Sequence, residues 1–152
     1  MSYVQSVLQP GEHVRHTAKL HWIMYWPGLA FVLTALAAFV FAERQDRTSA
    51  LLIYLAGVLA IVGLIFLLRE WFVQWTTEIA VTDRRVIYKT GFISRRTNEM
   101  HIDKVESVQV DQPVLGRILD YGHVTFLGTG EGFETLRRVA APIELRNHVT
   151  GV

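Results

Sequence analysis

WIMYWPGLAFVLTALAAFVFA at residues 22–42 and ALLIYLAGVLAIVGLIFLL at residues 50–68 decide how this chain is read. Neither run contains a charged residue. At about 1.5 Å of rise per helical residue they extend about 31 and 28 Å. That matches the roughly 30 Å hydrocarbon core of a bilayer. Only Glu43 to Ser49 separate them. The pattern predicts a transmembrane helical hairpin spanning residues 22–68, preceded by a strand-like segment at 1–21 and followed by a domain at 69–152. Two spans return the chain to its starting side, so both flanking parts are expected at one membrane face.

Aromatic residues mark where that face lies. Trp22, Tyr25 and Trp26 open the first run, and Trp71, Phe72 and Trp75 follow the second. Such rings favour the headgroup level, where an apolar body meets a polar edge. Arg15, Lys19, Arg69, Arg84, Arg85 and Lys89 flank the spans on this side, against Arg44 and Arg47 in the connecting loop. The positive-inside rule therefore places both termini in the cytoplasm. Arg15 and Lys19 before an apolar run also suit a signal peptide. The run is longer than an ordinary signal core, Val40-Phe41-Ala42 is a poor cleavage motif, and a second span follows at once.

Within the spans, small residues recur at four-residue spacing: Thr34, Ala38 and Ala42, then Ala56 and Ala60, with Gly63 close by. Small side chains let helix backbones approach in lipid, within the hairpin or between protomers. Pro27-Gly28 marks a kink or the true helix start.

The rest of the chain bounds the function. Cysteine is absent, which excludes disulfides and thiolate metal sites. The 84 residues after Leu68 suffice for one small domain, and they carry 11 basic and 11 acidic residues. A formally neutral domain is not expected to bind nucleic acid, which calls for a basic excess.

Before the first span, Pro10-Gly11 signals a turn, and Val14 to Leu20 alternate as a short strand rather than a helix. After Trp75 the pattern turns to strands. They are expected at Thr76 to Thr82, at Val86 to Thr90, from Phe92 onward, at Val105 to Val110, at His123 to Leu127 and at Phe133 to Val139. Asp83-Arg84-Arg85 reads as a polar turn. Val114, Leu115, Ile118 and Leu119 are spaced for one amphipathic helical turn, stopped at Gly122. Pro142 opens a short C-terminal helix, with Ile143, Leu145 and Val149 toward a sheet. The sum is a small β-sandwich or barrel with a helical plug.

Thr82-Asp83-Arg84-Arg85-Val86-Ile87, Gly91-Phe92-Ile93-Ser94-Arg95-Arg96 and Ile102-Asp103-Lys104-Val105-Glu106-Ser107-Val108 resemble the bacterial pleckstrin-homology-like membrane protein family. So do Leu115-Gly116-Arg117-Ile118-Leu119-Asp120-Tyr121-Gly122-His123-Val124 and the lead-in Leu8-Gln9-Pro10-Gly11-Glu12 with Leu20-His21-Trp22. The resemblance implies a helical hairpin joined to an all-β PH-like domain. The short mid-domain helix is what the residues themselves predict, and the resemblance implies two near-orthogonal antiparallel sheets closed by a C-terminal helix. It also implies a bacterial inner-membrane location. It implies no activity, because the family supplies no catalytic residues to carry over. The long basic loop by which lipid-binding PH domains hold inositol phosphates is reduced here to Asp83-Arg84-Arg85.

Arg84, Arg85, Lys89, Arg95 and Arg96 read as a patch for anionic lipid headgroups. They equally suit solvated turns paired with Asp83 and Glu99. His13, His16 and His21 precede the first span, but strand alternation puts His13 and His16 on opposite faces, so no metal site is expected. Gly128-Thr129-Gly130-Glu131-Gly132 lacks the Lys-Ser/Thr pair of a phosphate loop and reads as a hairpin turn. No nucleophile–base pair or carboxylate dyad stands out, and no catalysis and no cofactor are expected. The expected function is a membrane-anchored interaction or scaffold module that contacts lipid. It would act as a homo-oligomer or with a membrane-protein partner. The alternative is a sensor of anionic headgroups.

Overall fold

The N-terminal residues that precede the apolar runs are built into the sheet domain. In the computed structural model, which describes residues 3–44, 49–92, 96–129 and 133–151, the chain divides into two compact units. Residues 1–21 and 73–152 form one, and residues 22–72 form the other.

The second unit is the helical hairpin. A short 3-10 turn over Trp22–Tyr25 leads into α2, Trp26–Ala42, which takes Pro27 in its first turn where a missing N–H costs nothing. α3 runs Ser49–Thr76, well past Leu68, because Arg69 to Trp75 contain no glycine or proline to stop it. It ends where Thr76 and Thr77 both donate side-chain hydroxyls to the Val73 carbonyl, at 3.3 and 2.7 Å. They satisfy an otherwise orphaned acceptor of the last turn. Both helices are long and apolar enough to cross a bilayer, and only 17% and 11% of their apolar windows are buried.

The helices meet on a stripe different from the expected one. Gly28, Ala35 and Ala42 are the buried residues of α2, and Ala56 and Gly63 are buried on α3. Ala38 is half-buried, whereas Thr34 and Ala60 are exposed, and the Thr34 hydroxyl turns back to the Ala30 carbonyl at 2.8 Å. The spacing is seven residues, not four, which is the period of coiled-coil packing. At Gly63 a Cβ would stand 2.8 Å from Val32 Cγ2 and 3.1 Å from the Gly28 carbonyl oxygen, so the backbones touch there. Phe31 and Phe66 stack beside this contact with centroids 5.6 Å apart.

The first unit contains two antiparallel sheets. β1 (Val14–Ala18), β2 (Glu78–Thr82), β3 (Arg85–Thr90) and β4 (Arg96–His101) form one, in that order. β5 (Val105–Asp111), β6 (Tyr121–Gly128) and β7 (Phe133–Ala140) form the other. Ala18, Ile79, Val81 and Val86 from the first sheet pack with Val124, Phe126, Leu136 and Val139 from the second. α5, Pro142–Thr150, adds Leu145 and Val149 and touches strands of both sheets, plugging the open end as expected. Ile143 is exposed instead of facing a sheet.

The sheets are joined through the N-terminal segment. Beyond β1, Leu20 pairs with Val139, the His21 N–H reaches the Arg138 carbonyl at 2.7 Å, and the Ala140 N–H reaches the Lys19 carbonyl at 2.9 Å. A bulge in β7 makes this possible, with Arg138 at a φ of 56°. Bulges re-aim backbone in this way.

Two expectations need correction. Residues before Val14 are not all extended, since Tyr3–Val7 form the short helix α1. α1 lays Val4 and Val7 over Ala80 and Ile87, on the opposite face of the first sheet from the main core. That is why four successive residues of β2, Ile79 to Thr82, are buried without alternation. Gly122 does not stop the mid-domain helix. α4, Val114–Leu119, ends at Asp120 in the left-handed conformation, and Gly122 lies within β6, where a Cβ would be 2.8 Å from the Asp111 carbonyl. The hairpin between β6 and β7 forms as expected, with Gly130, Glu131 and Gly132 outside the described residues.

Candidate functional site

Of the five basic residues expected to form a lipid patch, the four described ones, Arg84, Arg85, Lys89 and Arg96, do not converge. Arg85 sits in β3 rather than in the turn and is buried. Its Nη2 donates to Glu12 Oε2 at 2.8 Å and to the Val7 carbonyl at 2.8 Å, its Nε to Glu12 Oε1 at 2.9 Å, and its Nη1 to Glu99 Oε2 at 2.7 Å. Four of its five N–H donors are spent on the protein, so it is withdrawn from the patch. Thr82 Oγ1 lies 2.7 Å from Glu12 Oε1 and accepts the Arg85 N–H at 2.9 Å. The hydrogen bonds from Arg85 hold the Glu12 carboxyl at about 2, against the opposing pull of its burial, with help from the Gln9 N–H and Thr82.

Lys89 is engaged in the same way. Its Nζ lies 3.4 Å from Glu78 Oε1 and 5.3 Å from the centre of the Tyr3 ring. The Glu78 carboxylate also accepts the Tyr3 and Val4 N–H groups at 3.1 and 3.2 Å, capping the free end of α1 from a different strand. Arg85 and Lys89 therefore clip the N-terminal segment to the sheet. Arg84 and Arg96 are exposed, but Arg84 precedes β3 and Arg96 opens β4 opposite Thr90, about 20 Å apart by strand rise. Arg95 lies outside the described residues.

The three histidines before the first span also separate. His13 is exposed, while His21 is buried with its ring 5.2 Å from that of Tyr121. His16 instead meets two residues of α5, His148 and Glu144, and the ligand-type atoms of these three residues lie within 4.8 Å of one another. The spacing of the histidines gave no sign of this, because the partners are more than a hundred residues away. Among the aromatic anchors, Trp22, Trp26, Trp71, Phe72 and Trp75 are exposed and Tyr25 is half-buried.

α4 is the largest surprise. The spacing of Val114, Leu115, Ile118 and Leu119 predicts one turn of amphipathic helix, and α4 forms there. Val114, Leu115 and Ile118 are 77%, 62% and 73% exposed. The helix seats itself through Gly116, where a Cβ would stand 2.5 Å from the Tyr121 carbonyl oxygen. Its glycine thus faces inward, Leu119 is half-buried, and the other three aliphatic residues face out. Contiguous exposed aliphatic side chains on an element that the sheet does not need mark contact surfaces. The only sequence signal was Gly116 amid large aliphatics, which reads equally as a helix weakened at its centre.

A family model described as bacterial PH domain matches residues 29–151. No curated protein and no solved structure matches.

Proposed function

The chain belongs to the bacterial PH domain family, and from that premise we propose that it is a membrane-anchored PH-like interaction module that works by binding a protein partner. The observation that carries this reading is the outward face of α4, Val114, Leu115 and Ile118. Exposed aliphatic side chains gain most from a partner that removes them from water, at about 25 cal/mol per Å² of apolar area. Three such residues make the centre of a contact rather than a whole interface.

The hairpin supports anchoring. Its helices leave Leu36, Leu55, Ile61 and Leu64 outward, an arrangement stable in lipid and costly in water. Residues 22–42 and 50–76 are each long enough to span. The Arg and Lys distribution favours an inner-membrane orientation with both termini in the cytoplasm. Partners are a second copy of this chain or another membrane protein. A groove of about 380 Å³ between Val32, Ala35, Leu36, Phe39, Ile53, Ala56, Gly57 and Ala60 offers a second, lipid-level contact for such an assembly.

A protein partner is favoured over a headgroup because Arg85 and Lys89 are occupied by carboxylates and the C-terminal domain carries equal numbers of acids and bases. Mass measurement of the full chain in mild detergent tests the reading. Leu115→Asp with Ile118→Asp is expected to dissociate the assembly or its co-purifying partner without lowering the melting temperature. An unchanged assembly, or loss of binding to protein-free vesicles instead, would contradict it.

A further inference from the structure

Among the described residues, one cluster has the chemistry of a metal site, and none of its residues belongs to α4. We propose that His16, Glu144 and His148 bind a divalent transition-metal ion of the zinc type, which ties β1 to α5. His16 comes from the strand that leads into the first apolar helix, and Glu144 and His148 lie one turn apart on the last helix. Residues four apart on a helix share a face, as ligand pairs require.

The donor set fits. Two imidazoles and one carboxylate, with a fourth position open, form a recurrent zinc environment. The three ligand-type atoms lie within 4.8 Å of one another, and His16 Nδ1 is 3.8 Å from Glu144 Oε1. Bonds of about 2.1 Å in a tetrahedron hold ligand atoms about 3.4 Å apart. The closure needed is therefore a matter of side-chain rotation. The two rings stack with centroids 4.4 Å apart, so both imidazoles border the same space.

One ring is already oriented. His148 Nδ1 lies 2.9 Å from the Glu144 carbonyl oxygen. A carbonyl only accepts, so Nδ1 carries the proton and the neutral ring keeps its Nε2 lone pair for a metal. Metal-bound histidines are commonly fixed by such a bond. A cavity of about 400 Å³ lined by Arg15, Glu144, Asn147, His148 and Gly151 leaves room for a fourth, exogenous ligand. The Arg15 guanidinium on its wall favours an anion there.

The test is calorimetric titration of the full chain in detergent with Zn²⁺, paired with thermal melting. The wild type is expected to bind one ion per chain and to melt at higher temperature when loaded, since binding to the folded state alone stabilises it. His148→Ala, which alters a half-exposed helix residue, should weaken binding by at least about tenfold and abolish the thermal shift. His16→Ala should do the same, and His13→Ala should change neither. The visible absorption of bound Co²⁺ then reports tetrahedral coordination in the wild type only. Absence of stoichiometric binding, or binding and thermal shift equal in the wild type and His148→Ala, would overturn the proposal.

Discussion

Arg85 Nη2 stands 2.8 Å from Glu12 Oε2, joining a residue before the apolar hairpin to a strand after it. Both side chains are nearly inaccessible to water. A buried pair of this kind is weak as net stabilisation but severe when halved, because the surviving charge has no solvent to turn to. Glu12→Gln should therefore destabilise the sheet unit by about 3–5 kcal/mol. Glu99→Gln should cost about 1 kcal/mol or less, since that carboxylate is about a third exposed. Denaturant titration of the two variants in matched detergent checks the ranking.

The same pair sets an acid limit. The Glu12 carboxyl is held at about 2, below its ordinary 4.5. A depressed carboxylate contributes stability that is complete above the unfolded value and is lost as pH falls through the folded one. The melting temperature should drop between pH 4.5 and pH 2. Glu12→Gln should flatten that part of the profile, and an equally steep profile in the variant would assign the slope to other groups.

The outline of the fold was legible because it rests on local patterns. Two uncharged runs of bilayer length, alternating residues in the strands and Pro142 at a helix start needed no tertiary information. What the sequence hid was tertiary. Arg85 follows Arg84 in a polar run and looks like its neighbour, yet strand register turns one inward to Glu12 and leaves the other outside. Lys89 reads as a free cation until β2 pairs with β3 and sets Glu78 opposite it, and α1 folds back to add Tyr3. The α4 spacing identified a helix but not which side it shows to the sheet, because a buried glycine gives no hydrophobic signal. The seven-residue stripe of the hairpin was masked by the abundance of alanine in both spans.

The hairpin contact makes its own prediction. Gly63→Ala places a methyl 2.8 Å from Val32 Cγ2 and should cost about 1–3 kcal/mol through overpacking. Gly57→Ala meets nothing within 4 Å and should be neutral or slightly stabilising. Resistance of the purified chain to unfolding in mixed micelles separates the two.

Orientation is open to direct chemistry because the chain has no cysteine. Arg44→Cys lies between the spans and Gly151→Cys near the chain end. In intact cells a membrane-impermeant maleimide should label position 44 and spare position 151 until the cells are lysed. The reverse pattern would place the sheet unit outside the cytoplasm.

The most direct measurement concerns α4 in its native membrane. Leu115→Cys, with a bifunctional thiol-to-amine crosslinker added to isolated membranes, should yield one discrete protein adduct, and Lys104→Cys, exposed on the 3-10 turn Ile102–Lys104, should not. A discrete band at 115 alone is what an interaction module with its contact centred on α4 predicts. Adducts confined to lipid, none at all, or the same adducts at both positions would contradict it.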